Sequence, residues 1–338
     1  MSIDAIVLEM EKALGKNDEA QSVTQFINSG YPPLNYAMTG RYDGGYPYGR
    51  LVEIYGESSS GKSLMATKAM IECQKLGGVA ILIDWERSFD VGMAEELGLN
   101  SERPYWIYHR SNTWEKGNME ATKACEYIRK NKIIPPEAPI VVVFDSIASA
   151  VPQSTIDKEL SEMTMNDSSA LSRVASTTLK TQAHHAADHN ACFIYLNQVR
   201  EKIGVIYGDK TSTPGGKAMG FFATCRLSLT RKKIQEQIDG NKEFVGQDVN
   251  INVVKSKLTA PYKSCSLRVN FDERGMAHFD EALSLIDYLV DKEFIKSSGP
   301  RVTWTDGKMY FRKALAEKIN EEGLYDELKV LLLVPISK

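Results

Sequence analysis

The sequence motif that most clearly suggests chemistry is a segment that begins and ends with glycine and is followed directly by lysine and serine. The eight residues are Gly56, Glu57, Ser58, Ser59, Ser60, Gly61, Lys62 and Ser63. The glycines allow a tight turn whose N–H groups point at phosphate oxygens, and the helix that follows adds partial positive charge. At this spacing the lysine reaches the β- and γ-phosphates and the serine hydroxyl ligates Mg²⁺. The pattern therefore predicts that these residues bind a nucleoside triphosphate, and the alternative is a chance match in a glycine loop.

Two carboxylates follow apolar runs further along the chain. Asp145, with Ser146 after it, ends the run 140–144, and it is predicted to hold the Mg²⁺ water shell together with Ser63. Glu86 follows the strand pattern that ends at residue 84. A water that attacks a phosphate must be positioned and must lose a proton, which this carboxylate can accept. The open alternative for Glu86 is a surface ion pair.

Gln198 ends another apolar run, and a loop rich in glycine and basic residues follows it at once. The loop residues that we single out are Arg200, Lys202, Ile203, Gly204, Gly215 and Gly216. The basic residues can contact phosphates and an apolar side chain can wedge between bases, so the loop is predicted to bind nucleic acid. Because the Gln198 amide can hydrogen-bond a γ-phosphate, nucleotide binding would order this loop. The alternative is an ordinary long surface loop.

Charge is distributed unevenly along the 338 residues. The net charge is −3, yet residues 200–263 hold twelve Lys and Arg against six Asp and Glu. A local phosphate-binding surface would leave this pattern, and so would a solvated basic face. Lys255 and Lys257 lie in this stretch two residues apart, so that both face one side of a strand. They are predicted either to meet a phosphate or to form a basic face towards solvent or DNA.

The composition is that of a soluble globular protein, with 43% hydrophobic and 25% charged residues. No apolar run reaches the roughly 20 residues of a membrane span, and the N-terminus has neither the basic region nor the cleavage site of a secretory signal. The five cysteines are scattered without a metal-binding or disulfide pattern. We therefore expect a reduced, cytoplasmic setting.

Strand and helix patterns alternate from residue 51 onwards. Strands are predicted at 51–55, 77–84, 105–109, 139–146, 191–198, 223–230, 248–257 and 263–271, and helices at 62–76, 91–97, 114–130 and 171–188. The alternation predicts an α/β fold with a mostly parallel central sheet, helices on both faces and an antiparallel extension.

Three regions are predicted. Residues 1–35 form a helix (1–14) and a docking linker, 36–279 the nucleotide-binding core, and 280–338 a small α+β domain. Residues 15–50 look like a polar connection, in which 23–27 is the candidate docking strand.

These motifs together resemble the bacterial RecA recombinase family, with similarity from about residue 49 to 272. The most specific stretches are Leu196–Val205 and Thr213–Ala218, which are similar to the family's γ-phosphate sensor and second DNA-binding loop. The resemblance implies a P-loop ATPase with ATP and Mg²⁺, in which Glu86 is the catalytic glutamate. It also implies helical filaments on single-stranded DNA, pairing with homologous duplex, and strand exchange with DNA-stimulated hydrolysis.

The resemblance also implies roles for residues outside these motifs. At the seam between subunits, Lys255 and Lys257 would reach the ATP of the neighbour, in a strand that continues to Pro261 and Tyr262, and Phe221 would be an interface residue. A first DNA loop would lie at 156–167, with Arg173 and Arg226 also on the DNA side. At the base, Asp90, Met93 and Phe271 would contact adenine, with Met93 replacing the family's usual tyrosine.

Two other classes of protein are alternatives to a recombinase. A motor or ring ATPase with the same fold would lack strand exchange, and the second loop and the lysine pair argue against it. A regulator that has lost its chemistry is disfavoured because Lys62, Ser63, Glu86, Asp145 and Gln198 are all present. The family usually ends in an acidic run, whereas residues 334–338 carry no acidic residue. This departure, with the shorter segment before the core, would suit a phage-encoded member.

Overall fold

A computed structural model describes residue 9 and residues 22–159, 169–201, 211–238 and 240–333. The strands are β1 (Phe26–Ile27), β2 (Tyr46–Pro47), β3 (Leu51–Gly56), β4 (Val79–Asp84), β5 (Trp106–Arg110), β6 (Ile140–Asp145), β7 (Ala191–Gln198), β8 (Arg200–Glu201), β9 (Thr211–Ser212), β10 (Cys225–Ile238), β11 (Asn241–Ser256), β12 (Lys263–Phe271), β13 (Ala277–Asp280), β14 (Ser297–Ser298), β15 (Arg301–Thr303) and β16 (Met309–Phe311). The helices are α1 (Pro32–Thr39), α2 (Lys62–Lys75), α3 (Val91–Glu96), α4 (Trp114–Lys130), α5 (Gln153–Ile156), α6 (Ala170–Asp188), α7 (Ala218–Phe222), α8 (Glu281–Asp291), α9 (Arg312–Glu322) and α10 (Tyr325–Val330).

A sheet of nine strands forms the centre, in the order β13-β12-β11-β10-β3-β7-β6-β4-β5. Neighbours from β10 through β3 to β5 are parallel, and β10 to β13 pair antiparallel. The predicted α/β class and mostly parallel sheet with an antiparallel extension are therefore confirmed. Strands β4 and β6 are buried along their whole length because helices cover both faces of the parallel part.

Alternate residues of the central strands enter two separate hydrophobic clusters. Val141 and Val143 face the cluster that includes α2, whereas Val142 and Phe144 face the cluster that includes α4 and α6. The second cluster has a stacked aromatic centre, with the Trp85 and Trp114 rings 5.3 Å apart. This period of two along each strand is what allows one sheet to hold two cores.

The region before the core differs from the expectation of a polar connection over residues 15–50. Residues 32–39 form helix α1, which begins on two prolines and ends at Gly40 in the left-handed conformation (φ 78°). Proline fits the first turn of a helix and glycine its end, so this helix was readable from the sequence. In the candidate docking strand, Phe26 and Ile27 pair with Tyr46–Pro47 of the same chain. Docking to a neighbour through residues 23–27 stays a prediction, and the predicted helix 1–14 lies outside the described residues except for residue 9.

The C-terminal residues continue the first cluster instead of forming a detached core. Leu285, Leu289, Leu315 and Ile319 are fully buried within it. We retain 280–338 as a proposed small α+β unit that starts where β13 ends, and residues 334–338 lie outside the described part. None of the described helices has the length and apolar character to cross a membrane. All five cysteines are buried as free thiols, and burial raises the pKa of each.

Replacing Trp114 by alanine should lower the free energy of unfolding by about 3–5 kcal/mol, because a fully buried indole leaves a cavity among its stacking partners. Chemical denaturation of the variant and the parent measures the difference. Tyr127 on the same helix is 63% exposed, and Tyr127→Ala should change stability by about 0.5 kcal/mol or less. Equal effects of the two substitutions would contradict the assigned core.

Candidate functional site

The parallel register brings the predicted chemical residues to one edge of the sheet. Gly56 of β3 lies opposite Gln198 of β7, and Asp84 of β4 lies opposite Asp145 of β6. These four strands are neighbours in the order β3-β7-β6-β4, and each of the four residues ends its strand. The carboxyl edge of a parallel sheet is where ligands bind in open α/β folds.

The glycine loop has the tight backbone that its sequence predicts. Gly61 lies at φ 90°, and a Cβ on Gly56 would come within 2.5 Å of the Leu229 carbonyl oxygen. The Lys62 ammonium donates to the Gly56 and Glu57 carbonyl oxygens at 3.2 and 2.6 Å, so it lies across the loop. Burial lowers the pKa of Lys62, although the neighbouring carboxylates of Asp145 and Glu86 act in the opposite direction. A phosphate here would meet a partly desolvated cation, which strengthens their attraction.

The predicted metal ligands lie side by side, with the Ser63 hydroxyl donating to Asp145 Oδ2 at 3.3 Å. Burial raises the pKa of Asp145 to about 7, and the charges of Glu86 and Asp84 add to the shift. Within the described ranges, no three His, Cys, Asp or Glu side chains group into a metal site. One hydroxyl and one carboxylate suit Mg²⁺, which takes its other ligands from phosphates and water. When bound, the ion would neutralise charge on the phosphate oxygens.

Glu86 is held at the same edge by backbone hydrogen bonds. The N–H groups of Trp85 and Glu86 donate to the Asp145 carbonyl oxygen at 2.7 and 3.1 Å. The Ser146 hydroxyl donates to Glu86 Oε2 at 3.3 Å, and Glu86 is exposed to solvent. A carboxylate that a neighbouring hydroxyl orients and that solvent can reach is able to accept a proton from a water molecule in the site.

Asp84 is a functional residue that the sequence reasoning used only to mark a strand end. Its side chain is fully buried and accepts the Arg87 N–H at 2.5 Å and the Tyr108 hydroxyl at 2.9 Å. These bonds shape the turn that carries Glu86. The sequence contains a signal for this role. An acidic residue at the end of a buried strand is shielded from water, so its carboxylate must accept hydrogen bonds from nearby protein donors.

Gln247 is a second residue that sequence reasoning missed. Its amide nitrogen donates to the Ser59 carbonyl oxygen at 3.0 Å, and its buried Oε1 has no hydrogen-bond partner among the residues that the structure describes. The same holds, within that part of the chain, for the buried hydroxyl of Ser60. Both residues line a cavity of about 220 Å³ along the phosphate loop, with Phe271 on its wall. Buried polar atoms without partners are rare, so this cavity is suited to a ligand that supplies donors.

The predicted base contacts are only partly brought together. Phe271 lines the cavity, whereas Asp90 and Met93 are not among its lining residues. The Asp90 carboxylate instead caps α3 by accepting the Met93 N–H at 3.0 Å. An exposed ion pair between Arg274 and Glu96 joins the end of α3 to the turn after Phe271. Adenine contact by Asp90 and Met93 therefore stays a prediction.

The residues expected at a subunit seam lie elsewhere on the surface. Phe221 and Tyr262 are 69% and 75% exposed, and neither they nor Pro261 line the phosphate cavity. The Lys255 ammonium donates to the carbonyl oxygens of Gly220 and Phe221 at 2.6 and 3.0 Å. Burial, and after it the charges of Lys257 and Arg226, lower the pKa of Lys255 to about 8. Strand β11 ends at Ser256, so Lys257 lies just beyond the strand and the shared strand face of the two lysines stays a prediction.

The loop after Gln198 is described at its two ends. Arg200 pairs with Ser212 in the short β8–β9 ribbon, and its side chain is exposed. Gly215 and Gly216 have φ of 84° and 72°, which only glycine adopts readily. Lys202, Ile203 and Gly204 lie outside the described residues, as do residues 160–167 of the predicted first DNA loop.

Two further arginines were predicted on the DNA side. Arg173 is exposed on α6 and donates to the Ser169 hydroxyl at 2.9 Å. Arg226 instead forms an ion pair with the buried Glu53 at 2.5 Å, and its side chain is 21% exposed. DNA contact by either residue stays a prediction.

Comparison with known proteins gives a consistent result over the whole chain. The family described as the RecA N-terminal domain matches residues 2–276. Protein RecA of Malacoplasma penetrans is 32% identical over 100% of this chain and 97% of its own length. Protein RecA of Lactobacillus johnsonii is 31% identical over 97% of this chain and 87% of its own length. The chromosomal Protein RecA of Lactococcus lactis is 34% identical over 90% of this chain and 75% of its own length.

Gln247→Leu should weaken the binding of a nucleoside triphosphate about fivefold. The substitution removes the hydrogen-bond donor to the Ser59 carbonyl oxygen, and it removes the amide oxygen that faces the cavity. Equilibrium titration with a fluorescent ATP analogue measures the affinity. Asn252, exposed on the same strand, provides the matched control Asn252→Leu, which should bind normally. Unchanged affinity in a folded Gln247→Leu protein would refute a role for this side chain.

Proposed function

Because the chain belongs to the RecA family, we propose that it is an ATP-dependent recombinase that assembles on single-stranded DNA as a helical filament and exchanges strands with homologous duplex. One observation carries the proposal. Gln198 lies opposite the first residue of the phosphate loop, and the predicted DNA-binding loop starts two residues later, at Arg200. Nucleotide chemistry and DNA contact therefore adjoin at a single strand end.

The geometry of the edge supports the following hydrolytic roles. The N–H groups of residues 57–61 and the Lys62 ammonium would bind the β- and γ-phosphates, and Ser63 and Asp145 would hold Mg²⁺. Glu86, held by Ser146, accepts a proton from the attacking water, whose oxygen then bonds to the γ-phosphorus as the bond to ADP breaks. Gln198 hydrogen-bonds the γ-phosphate or this water. Asp90, Met93 and Phe271 would flank the adenine.

DNA binding is assigned to the loop and the helix next to it. Arg173, Arg200 and Lys202 contact phosphates, Ile203 inserts between bases, and Gly204, Gly215 and Gly216 allow the backbone to approach the strand. Most contacts go to the phosphate backbone, so binding has little sequence preference and weakens with salt.

In the proposed filament, the segment of one subunit that carries Lys255 and Lys257 lies against the nucleotide of the next subunit. Lys255 and Lys257 stabilise the negative charge that develops on the γ-phosphate of the adjacent subunit, in the manner of an arginine finger. Pro261, Tyr262 and Phe221 would lie at the same seam, where the exposed rings lose contact with water. A head-to-tail interface of this kind gives an open helix when the rotation does not close.

ATP hydrolysis should be stimulated by single-stranded DNA, and the protein should exchange strands between a circle and a homologous linear duplex. Glu86→Gln should lower kcat by on the order of 10²–10⁴-fold while ATP and DNA still bind, because only the proton acceptor is lost. Phosphate release and gel assays of joint molecules measure the two activities, with the exposed Glu102→Gln as control. If the parent protein shows neither stimulation nor exchange, or forms closed rings on DNA in electron microscopy, the proposal is wrong.

Mixing two inactive variants tests the action of Lys255 across subunits. Lys62→Ala disables the nucleotide site and keeps Lys255, whereas Lys255→Ala keeps the nucleotide site and removes the lysine that would reach the neighbour's nucleotide. In a mixed filament about a quarter of the interfaces combine an intact site with an intact strand, so up to a quarter of the parent ATPase activity should return. If the mixture stays as inactive as its components, Lys255 acts within its own subunit.

A further inference from the structure

Three polar side chains lie side by side on the sheet face that holds the second hydrophobic cluster. Glu53 pairs with Arg226 in register on one side, and Asn197 lies on the strand at its other side. Glu53 and Asn197 have no exposed surface. None of the three is explained by phosphate binding, and burying such polar and charged groups is costly unless they are paired and hydrogen-bonded.

Asn197 uses nearly all of its hydrogen-bonding capacity. Its Oδ1 accepts the backbone N–H of Gln198 at 2.9 Å. Its amide nitrogen donates to Glu53 Oε1 at 2.9 Å and to the Pro214 carbonyl oxygen at 3.0 Å. One side chain therefore holds both the predicted γ-phosphate sensor and the far end of the predicted DNA-binding loop.

The Glu53–Arg226 pair fixes the orientation of Asn197. Arg226 Nε donates to Glu53 Oε2 at 2.5 Å, and the guanidinium lies 4.9 Å from the centre of the Tyr55 ring. With Oε2 held by the arginine, Oε1 faces the Asn197 amide. A buried carboxylate needs this complete set of partners, since an unpaired charge in the interior is strongly destabilising.

The loop end beyond Pro214 is packed closely against the helices. A Cβ on Gly215 would lie 3.2 Å from the Ile147 side chain, and one on Gly216 would lie 3.1 Å from Ser172 of α6. A displacement of Pro214 therefore cannot be absorbed locally and must move the loop or the start of α6. Arg173, the neighbour of Ser172, would move with it.

We propose that Asn197, oriented by the Glu53–Arg226 pair, is the positioning residue that transmits the state of Gln198 to the DNA-binding loop. The inference rests on the proposed function and assigns residues to its coupling step. When the Gln198 side chain engages a γ-phosphate, the strand end shifts, and the Asn197 amide carries the shift to Pro214. Arg226 acts on this link through Glu53 and Asn197.

The affinity for single-stranded DNA with and without a non-hydrolysable ATP analogue measures this coupling. Asn197→Ala should bind the analogue normally and bind DNA normally without it. The gain in DNA affinity that the analogue produces should fall about tenfold, because a buried hydrogen-bonded link is lost. Fluorescence anisotropy of a labelled oligonucleotide gives the DNA affinities, and titration with a fluorescent analogue gives nucleotide binding.

Tyr195→Phe is the matched control. Tyr195 lies two residues earlier on the same face of β7, and its hydroxyl donates to Asn118 Oδ1 at 2.7 Å, away from the loop. This variant should lose stability and keep the full gain in DNA affinity. A loss of gain in the control would show that any buried polar defect disrupts coupling, which would overturn the assignment to Asn197.

Glu53→Gln tests the same unit if Asn197→Ala does not fold, because the amide keeps the shape of the carboxylate and removes the charge that holds Arg226. A reduced gain with normal analogue binding supports the proposal. A full gain in either folded variant refutes it. If the parent protein shows no gain with the analogue, the proposed function itself has failed, and this outcome is distinct from failure of the coupling assignment.

Discussion

Crowding of negative charge at one sheet edge is the constraint on which the structure depends. Asp84, Asp145 and Glu86 converge where a triphosphate, also negative, is to bind. The chain offsets the repulsion by different means: backbone N–H groups satisfy Asp84, Ser63 and Lys62 lie beside Asp145, and solvent reaches Glu86. The remaining excess of negative charge favours a cation at this edge, which supports the proposed binding of Mg²⁺ together with a nucleotide.

The residues that could be predicted from the sequence are those whose role depends on neighbours along the chain. Gly56 to Ser63 are consecutive and run from the end of β3 into the start of α2, and Asp145 and Gln198 end apolar runs, so their positions at one sheet edge follow from strand ends and parallel register. Gln247 and Glu53 could not be found in this way, because their partners are 188 and 144 residues distant in sequence. Helix α1 was missed although its prolines and glycine signalled it, since aromatic and polar residues obscured its period.

Burial and neighbouring positive charge both oppose the charged form of Lys255, near the end of β11. Lys255 is held against carbonyl oxygens beside two other cations, and its pKa is close to 8. In the proposed filament, a phosphate bound to the neighbouring subunit would supply a counter-charge and raise this pKa again. The exposed rings of Phe221 and Tyr262 fit the proposed seam between subunits, which would cover them.

The burial of every cysteine thiol has a practical consequence for observing this molecule at work. Thiolates, not thiols, react with maleimide dyes, and all five native sulfurs are shielded from water with pKa values above their ordinary range. A sixth cysteine introduced on an open surface would capture the dye long before the native ones. Site-selective fluorophores can therefore be attached without first constructing a cysteine-free background, and native thiols would report global unfolding by becoming reactive.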